Sequence, residues 1–349
     1  MAKRLAPHVL DHAHPLAGPR LAHRWVHPLH GGSVNVQEVL QSRLLLVTGK
    51  GGTGKTTLSA TVGRLGAQRG RRTVVCEVDT FRPALTAVFG QAPDYEPTRV
   101  GPNLDICNVT WRDALVEWLG DTVPGKRIVK AILDNRVVQT FLEATPGLRE
   151  TVILSKIVKL CDQYDQVVVD MPASGHAISL LGVPGVAMNL MRGGPIRERA
   201  VQIKSRLSRR DTALVIVALP EEMVVNETVE LWERLHREVP ELQLPLVALN
   251  RSAAPSLSGD EIALLDRLES DAALSDDPAA RELLLAGRWE AGLEEATAQA
   301  LERLRAELDV NVVHFSRLGA LGGYEGGPQR IVQQLAAALA RQELAEQQA

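Results

Sequence analysis

The stretch that most constrains this chain is Gly49-Lys50-Gly51-Gly52-Thr53-Gly54-Lys55-Thr56-Thr57. An apolar run, Leu44-Leu45-Leu46-Val47-Thr48, leads into it, and Leu58, Val62 and Leu65 follow at helical spacing. Strand, glycine-rich loop and helix in that order is the setting of a phosphate-binding P-loop. Glycines let the backbone curl so that successive N–H groups point inward at phosphate oxygens. The N-terminus of the following helix adds positive partial charge. Lys55 is placed to reach the β- and γ-phosphates, and the Thr56 hydroxyl to hold Mg²⁺.

Such a loop predicts an α/β chain, and the rest of the sequence agrees. Apolar runs at Thr73–Val78, Leu104–Val109, Gln166–Asp170, Ala213–Leu219, Leu246–Leu249 and Asn311–Phe315 read as further strands. Helical stretches separate them: Trp111 to Ala144, broken near Pro124-Gly125, then Leu148 to Asp162, Trp289 to Leu308 and Pro328 to Ala340. This alternation predicts a P-loop NTPase fold, a mainly parallel sheet of about seven or eight strands with helices on both faces. Residues 43–340 form one ATPase domain on this reading, with a short basic helical insert at 185–211 and a polar tail at 341–349. Residues 1–42 read as a flexible leader carrying His8, His12, His14, His23, His27 and His30. His12-x-His14 and the i,i+4 pair His23 and His27 leave metal chelation open, although no acidic or thiol ligand completes a site.

Composition excludes several classes. Lys plus Arg number 39 against 42 Asp plus Glu, so there is no basic footprint for nucleic acid. Aromatic residues are 3% of the chain, too few for base-stacking platforms. Cys76, Cys107 and Cys161 form no C-x-x-C pair and fall on separate predicted elements, which suits a reducing compartment without a disulfide framework. No apolar run approaches the ~20 residues of a membrane span. No signal-peptide core is visible, and the expected location is cytoplasmic.

Ligands of open parallel sheets bind beyond the C-terminal ends of the strands. Asp79 and Asp170 stand at two such ends. Asp170 fits an acid that holds Mg²⁺ directly or through water. Gly175, five residues on, is placed to offer its N–H to a γ-phosphate in a switch loop. Asp79 is placed to orient an attacking water or take its proton. Either acid alone could equally cap a helix.

Lys50, directly after the first glycine, resembles the signature lysine of deviant Walker A ATPases, which include the chromosome-partition, septum-positioning and ArsA-type families. The remaining motifs resemble the ArsA-type family in particular. Asp170-Met171-Pro172-Ala173-Ser174-Gly175-His176 resembles its D-T-A-P-T-G-H switch with the proline one place early. Leu181-Gly182-Val183-Pro184 resembles L-x-x-P, and Pro146-Gly147-Leu148-Arg149-Glu150 resembles P-G-x-x-E. Pro220-Glu221 with Glu227-Thr228 resembles P-E…E-T, and Asn250 resembles the adenine-contacting asparagine. The likeness covers residues 43 to 335.

The resemblance implies a Mg-dependent ATP hydrolase that works as a homodimeric switch on an unidentified protein client. It implies that Lys50 crosses to the partner's phosphates, that Asp79 activates water, and that Glu221 and Asn250 lie near the base. Independently, Asn250-Arg251-Ser252-Ala253 lacks the aspartate of N-K-x-D, which favours ATP over GTP.

The departures are specific. Thr80-Phe81-Arg82 stands where the family has P-A-H, there is one P-loop, and no cysteine pair suits an interfacial zinc. The insert is short and basic (Arg192, Arg197, Arg199, Lys204, Arg206, Arg209 and Arg210 against Glu198), fitting a partner or anionic-membrane surface or a solvated face. A partition- or septum-type scaffold and a metal-insertion ATPase are the alternatives. The first lacks a basic amphipathic tail helix, so contact with membrane or nucleic acid is not indicated.

Overall fold

In the computed structural model, described for residues 26–28, 39–122, 135–136, 140, 144–145, 147–244, 246–270, 277–308, 310–317, 328–333 and 335–336, strands and helices alternate along the chain. In order they are β1 (Val26–Pro28), β2 (Leu44–Gly49), α1 (Lys55–Gln68), β3 (Thr73–Val78), α2 (Leu85–Phe89), β4 (Thr98–Gly101), β5 (Leu104–Val109), α3 (Trp111–Thr122) and α4 (Leu148–Gln163). Then come β6 (Gln166–Asp170), α5 (Ser174–Leu190), α6 (Pro195–Leu207), β7 (Thr212–Ala218), α7 (Glu222–Glu238), β8 (Leu246–Ser252), α8 (Gly259–Glu269), α9 (Pro278–Glu307) and β9 (Asn311–Ser316). Five of the leader histidines, the stretch 123–134, Pro146 and the tail 341–349 lie outside the described residues.

The nine strands form one sheet in the order β1-β9-β8-β7-β2-β6-β3-β5-β4. The seven from β9 to β5 run parallel, and they are the seven apolar runs of the sequence. Two short antiparallel edges complete the sheet. β4 pairs with β5, and β1, inside the stretch read as a leader, pairs with β9 through His27 opposite His314.

Apolar side chains alternate between two cores, as strands covered on both faces require. Leu44 and Leu46 face α3 to α7 and α9, while Leu45 and Val47 face α1 and α2. All four are at most 1% exposed, and full burial contributes about 1.5–3 kcal/mol for such a side chain. Val39 and Leu40, just before β2, also pack into the second core.

Register corrects the expected separation of the cysteines. Cys76 and Cys107 are direct partners on β3 and β5, with their sulfurs 3.2 Å apart. Both are 0% exposed. The Cys107 thiol beside it, together with burial, holds the Cys76 thiol well above its usual pKa.

The basic insert becomes the end of α5 and α6, and several of its cations are already paired within the chain. Arg206 is buried and Arg209 exposed, and both meet Asp211, while Lys204 meets Glu241 at 3.3 Å. Among the described residues no helix is long and apolar enough to cross a membrane.

Candidate functional site

Sheet order sets the site. β2 lies between β7 and β6, and β6 between β2 and β3, so the loop after β2 is flanked by the C-terminal ends of three strands. Gly49 leaves β2 at φ 143°. A Cβ there would fall on the carbonyl of Val217 in β7, so only glycine lets the loop turn at this point. Gly54, at φ 98°, is the N-cap of α1 and supplies no side-chain cap. The first N–H groups of α1 therefore face the loop, as anion binding at a helix N-terminus requires.

Lys55 Nζ donates to the carbonyl of Lys50 at 3.0 Å, and Thr53 Oγ donates to the same oxygen at 3.0 Å. Burial lowers the Lys55 pKa, and the nearby Asp170 charge opposes the shift. Across the loop mouth, Thr56 Oγ donates to Asp170 Oδ2 at 2.5 Å. Asp170 is 9% exposed, and its Oδ1 is buried without a hydrogen-bond partner among the described residues. Burial pushes its carboxyl up to about 6, against the Thr56 hydrogen bond and the Lys55 charge. A hydroxyl and a carboxylate with a lone buried oxygen, beside a phosphate cradle, are the hard oxygen donors that Mg²⁺ takes. Thr56 and Asp170 thus fit that ion.

An acid and an arginine on other elements hold the two catalytic candidates. Lys50 Nζ donates to Glu227 Oε1 of α7 at 2.6 Å. Asp79 sits just past β3 at φ 47°, a left-handed conformation costly for a non-glycine residue. Its Oδ2 accepts from Arg149 at 3.3 Å and its Oδ1 from the Trp111 backbone N–H at 3.3 Å. The Arg149 guanidinium also lies over the Trp111 ring, 4.9 Å from its centroid. The next loop residue but one, Phe81, is 96% exposed.

The other expected residues surround the same mouth. Gly175 lies in the first turn of α5, where no intrahelical carbonyl precedes its N–H. Asn250, near the end of β8, donates its amide N–H to the Thr53 carbonyl at 2.8 Å. Glu221 is the exposed N-cap of α7 and makes no side-chain cap.

Three residues were not singled out from the sequence: Glu227 and Arg149, which sit within matched motifs, and Glu77, an acid inside an otherwise buried strand. That last oddity was visible in Thr73-Val74-Val75-Cys76-Glu77-Val78.

Comparison with known proteins agrees with the geometry. The profile of the ArsA family, described as anion-transporting ATPases, matches residues 42–210. The chain is 29% identical over 289 residues to ATPase BagA of Mycobacterium tuberculosis, covering 77% of this chain and 82% of that one. It is 33% identical over 178 residues to a Halobacterium salinarum protein whose name describes an arsenical pump-driving ATPase, covering 46% of this chain and 27% of that one. An ATPase ASNA1 homolog of Entamoeba dispar is 28% identical over 172 residues, covering 45% and 51%.

Proposed function

We propose that this chain, which belongs to the ArsA-type ATPase family and hydrolyses ATP, does so as a Mg-dependent homodimeric switch acting on a protein client. The observation that carries the reading is the Thr56–Asp170 contact at 2.5 Å beside the Lys55 amine, at the mouth of a loop whose glycines turn its N–H groups inward. When bound, Mg²⁺ neutralises charge on the β- and γ-phosphates, and Thr56 and Asp170 are the residues that would hold it.

The loop N–H groups and Lys55 bind the phosphates, Lys55 exchanging the Lys50 carbonyl for phosphate oxygens. Gly175 offers its N–H to the γ-phosphate, so α5 responds to its loss. Asp79 orients the attacking water once its bonds to Arg149 and Trp111 are released. Lys50 leaves Glu227 and reaches the phosphates of the facing subunit, where an ammonium near developing charge stabilises the transition state. Asn250 receives the adenine amine, and Glu221 lies on the same side. The subunits close with the γ-phosphate present and part without it, and that motion is what a client would read. A cytoplasmic setting suits the three free, buried cysteines.

The direct test is steady-state hydrolysis by the purified chain with Mg²⁺, with EDTA, and with Lys55→Ala. Turnover should require the metal and vanish in the variant. Hydrolysis unchanged by Lys55→Ala would refute the site.

A further inference from the structure

β3 buries an acid where the sheet needs none. Glu77 is 2% exposed, and a carboxylate taken out of water is costly unless something answers its charge. Its Oε1 is answered: the backbone N–H groups of Ala84 and Leu85 donate to it at 2.7 and 3.3 Å. Its Oε2 is buried and has no partner among the described residues. A cap for the five-residue α2 would not require an acid this deep, since Ser, Thr, Asp or Asn supply one from the surface.

The second oxygen has a neighbour in the same condition. Glu77 is the direct register partner of Asp170 on the adjacent parallel strand. Both side chains point to the α1 face, like Val75 and Val168 beside them in the core beneath α1. Asp170 Oδ1 is also buried and unpartnered among the described residues, its Oδ2 being taken by Thr56. Two neighbouring carboxyls in a low-dielectric site repel, and a cation between or beside them removes the conflict. Lys55, the nearest amine to Asp170, is hydrogen-bonded to the loop instead.

We propose that Glu77 is a further metal-site residue of this chain: its Oε2 accepts a hydrogen bond from a water on the Mg²⁺ that Thr56 and Asp170 hold. The proposal rests on the reading of those two residues given above. Glu77 also ties the metal to the loop that carries Asp79. That loop runs from residue 79 to residue 84, and Oε1 grips its far end. One carboxylate thus touches the metal's water shell with one oxygen and the catalytic loop with the other.

The test is a titration of Mn²⁺, used as a paramagnetic stand-in for Mg²⁺, into the full chain with bound ADP, followed by electron paramagnetic resonance. Glu77→Gln keeps the acceptor for Ala84 and Leu85 and removes the charge. It should weaken Mn²⁺ binding about 10- to 100-fold, the usual scale for an outer-shell ligand. Metal-free ADP affinity and the unfolding midpoint should not fall. Glu77→Asp, which keeps the charge but withdraws it, should also weaken Mn²⁺ and serves if the glutamine variant does not fold. Asp170→Asn is the reference. If it weakens Mn²⁺ while the foldable Glu77 variants do not, Glu77 is only a cap and the proposal is overturned. If Asp170→Asn itself leaves Mn²⁺ affinity intact, the underlying metal reading fails first.

Discussion

For the proposed crossing of a dimer interface Lys50 must be free, and in this structure it is held. Its amine lies 2.6 Å from Glu227, with the two side chains 32% and 40% exposed. Ion pairs this open contribute about 0.2–1 kcal/mol each. If closing the dimer breaks one pair in each subunit, the pairs oppose closure by about 0.4–2 kcal/mol. Glu227→Gln removes that opposition and should tighten ATP-dependent dimerisation about 2- to 30-fold, at 1.4 kcal/mol per decade. The assay is sedimentation velocity in ATP and Mg²⁺ on an Asp79→Asn background, which keeps the nucleotide intact. The gain should shrink as salt rises, because exposed charges are screened beyond a Debye length. Equal dissociation constants, or a looser dimer in the variant, would refute the holding role. No dimer in either protein would refute the dimer itself.

Asp79→Asn should preserve ATP affinity in calorimetry and cut turnover by about 10² or more, the scale for losing a positioned base; an equal loss of binding would make Asp79 structural. Gly49→Ala places a Cβ on the Val217 carbonyl at φ 143°. It should cost at least about 1–3 kcal/mol and lower the melting temperature by about 1–4 °C, and an unchanged midpoint in calorimetry would contradict the turn geometry. The thiols of Cys76 and Cys107 are fully buried, and the Cys76 thiol is held well above its usual pKa by the neighbouring thiol and burial, so a thiol reagent should label them only on unfolding. For the same reason arsenite should not stimulate turnover; a stimulation lost in a cysteine-free variant would overturn this.

How much the sequence disclosed follows from the range of each interaction. The seven parallel strands are runs of apolar residues buried on both faces, a pattern visible without knowing any partner. The two edge strands are not: Thr98-Arg99-Val100-Gly101 alternates weakly, and Val26-His27-Pro28 is hidden among histidines and prolines. The phosphate loop was legible because its geometry is local to nine residues. The contacts that decide how its groups are held are remote. Glu227 lies 177 positions from Lys50, Arg149 lies 70 from Asp79, and Asn250 lies 197 from Thr53. Each pairing depends on strand order, which composition and periodicity do not state. Cys76 and Cys107 teach the same lesson, since adjacency across β3 and β5 is a matter of register.

Those remote contacts share a logic. The groups proposed to act on the nucleotide have partners in their own chain: Lys50 with Glu227, Lys55 with a loop carbonyl, Asp79 with Arg149 and Trp111, and Asp170 with Thr56. A triphosphate must displace the partners of Lys50, Lys55 and Asp79, so part of its binding energy goes into rearrangement rather than affinity. The partners differ in how hard they are to give up. Glu227–Lys50 and Arg149–Asp79 are half in water, so each can exchange for solvent at little cost. Asp170 is 9% exposed, and parting it from Thr56 leaves a buried charge in need of an immediate replacement. The half-exposed lysine and the exposed aspartate are therefore the movable parts, and the threonine with the buried Asp170 is the fixed seat. That division puts mobility on the residues proposed to cross the interface and to orient water, and rigidity on the residues proposed to hold the ion. Substitutions at Glu227 or Arg149 should consequently shift closure and turnover with small effects on fold stability, whereas those at Thr56 or Asp170 should affect metal and nucleotide binding first.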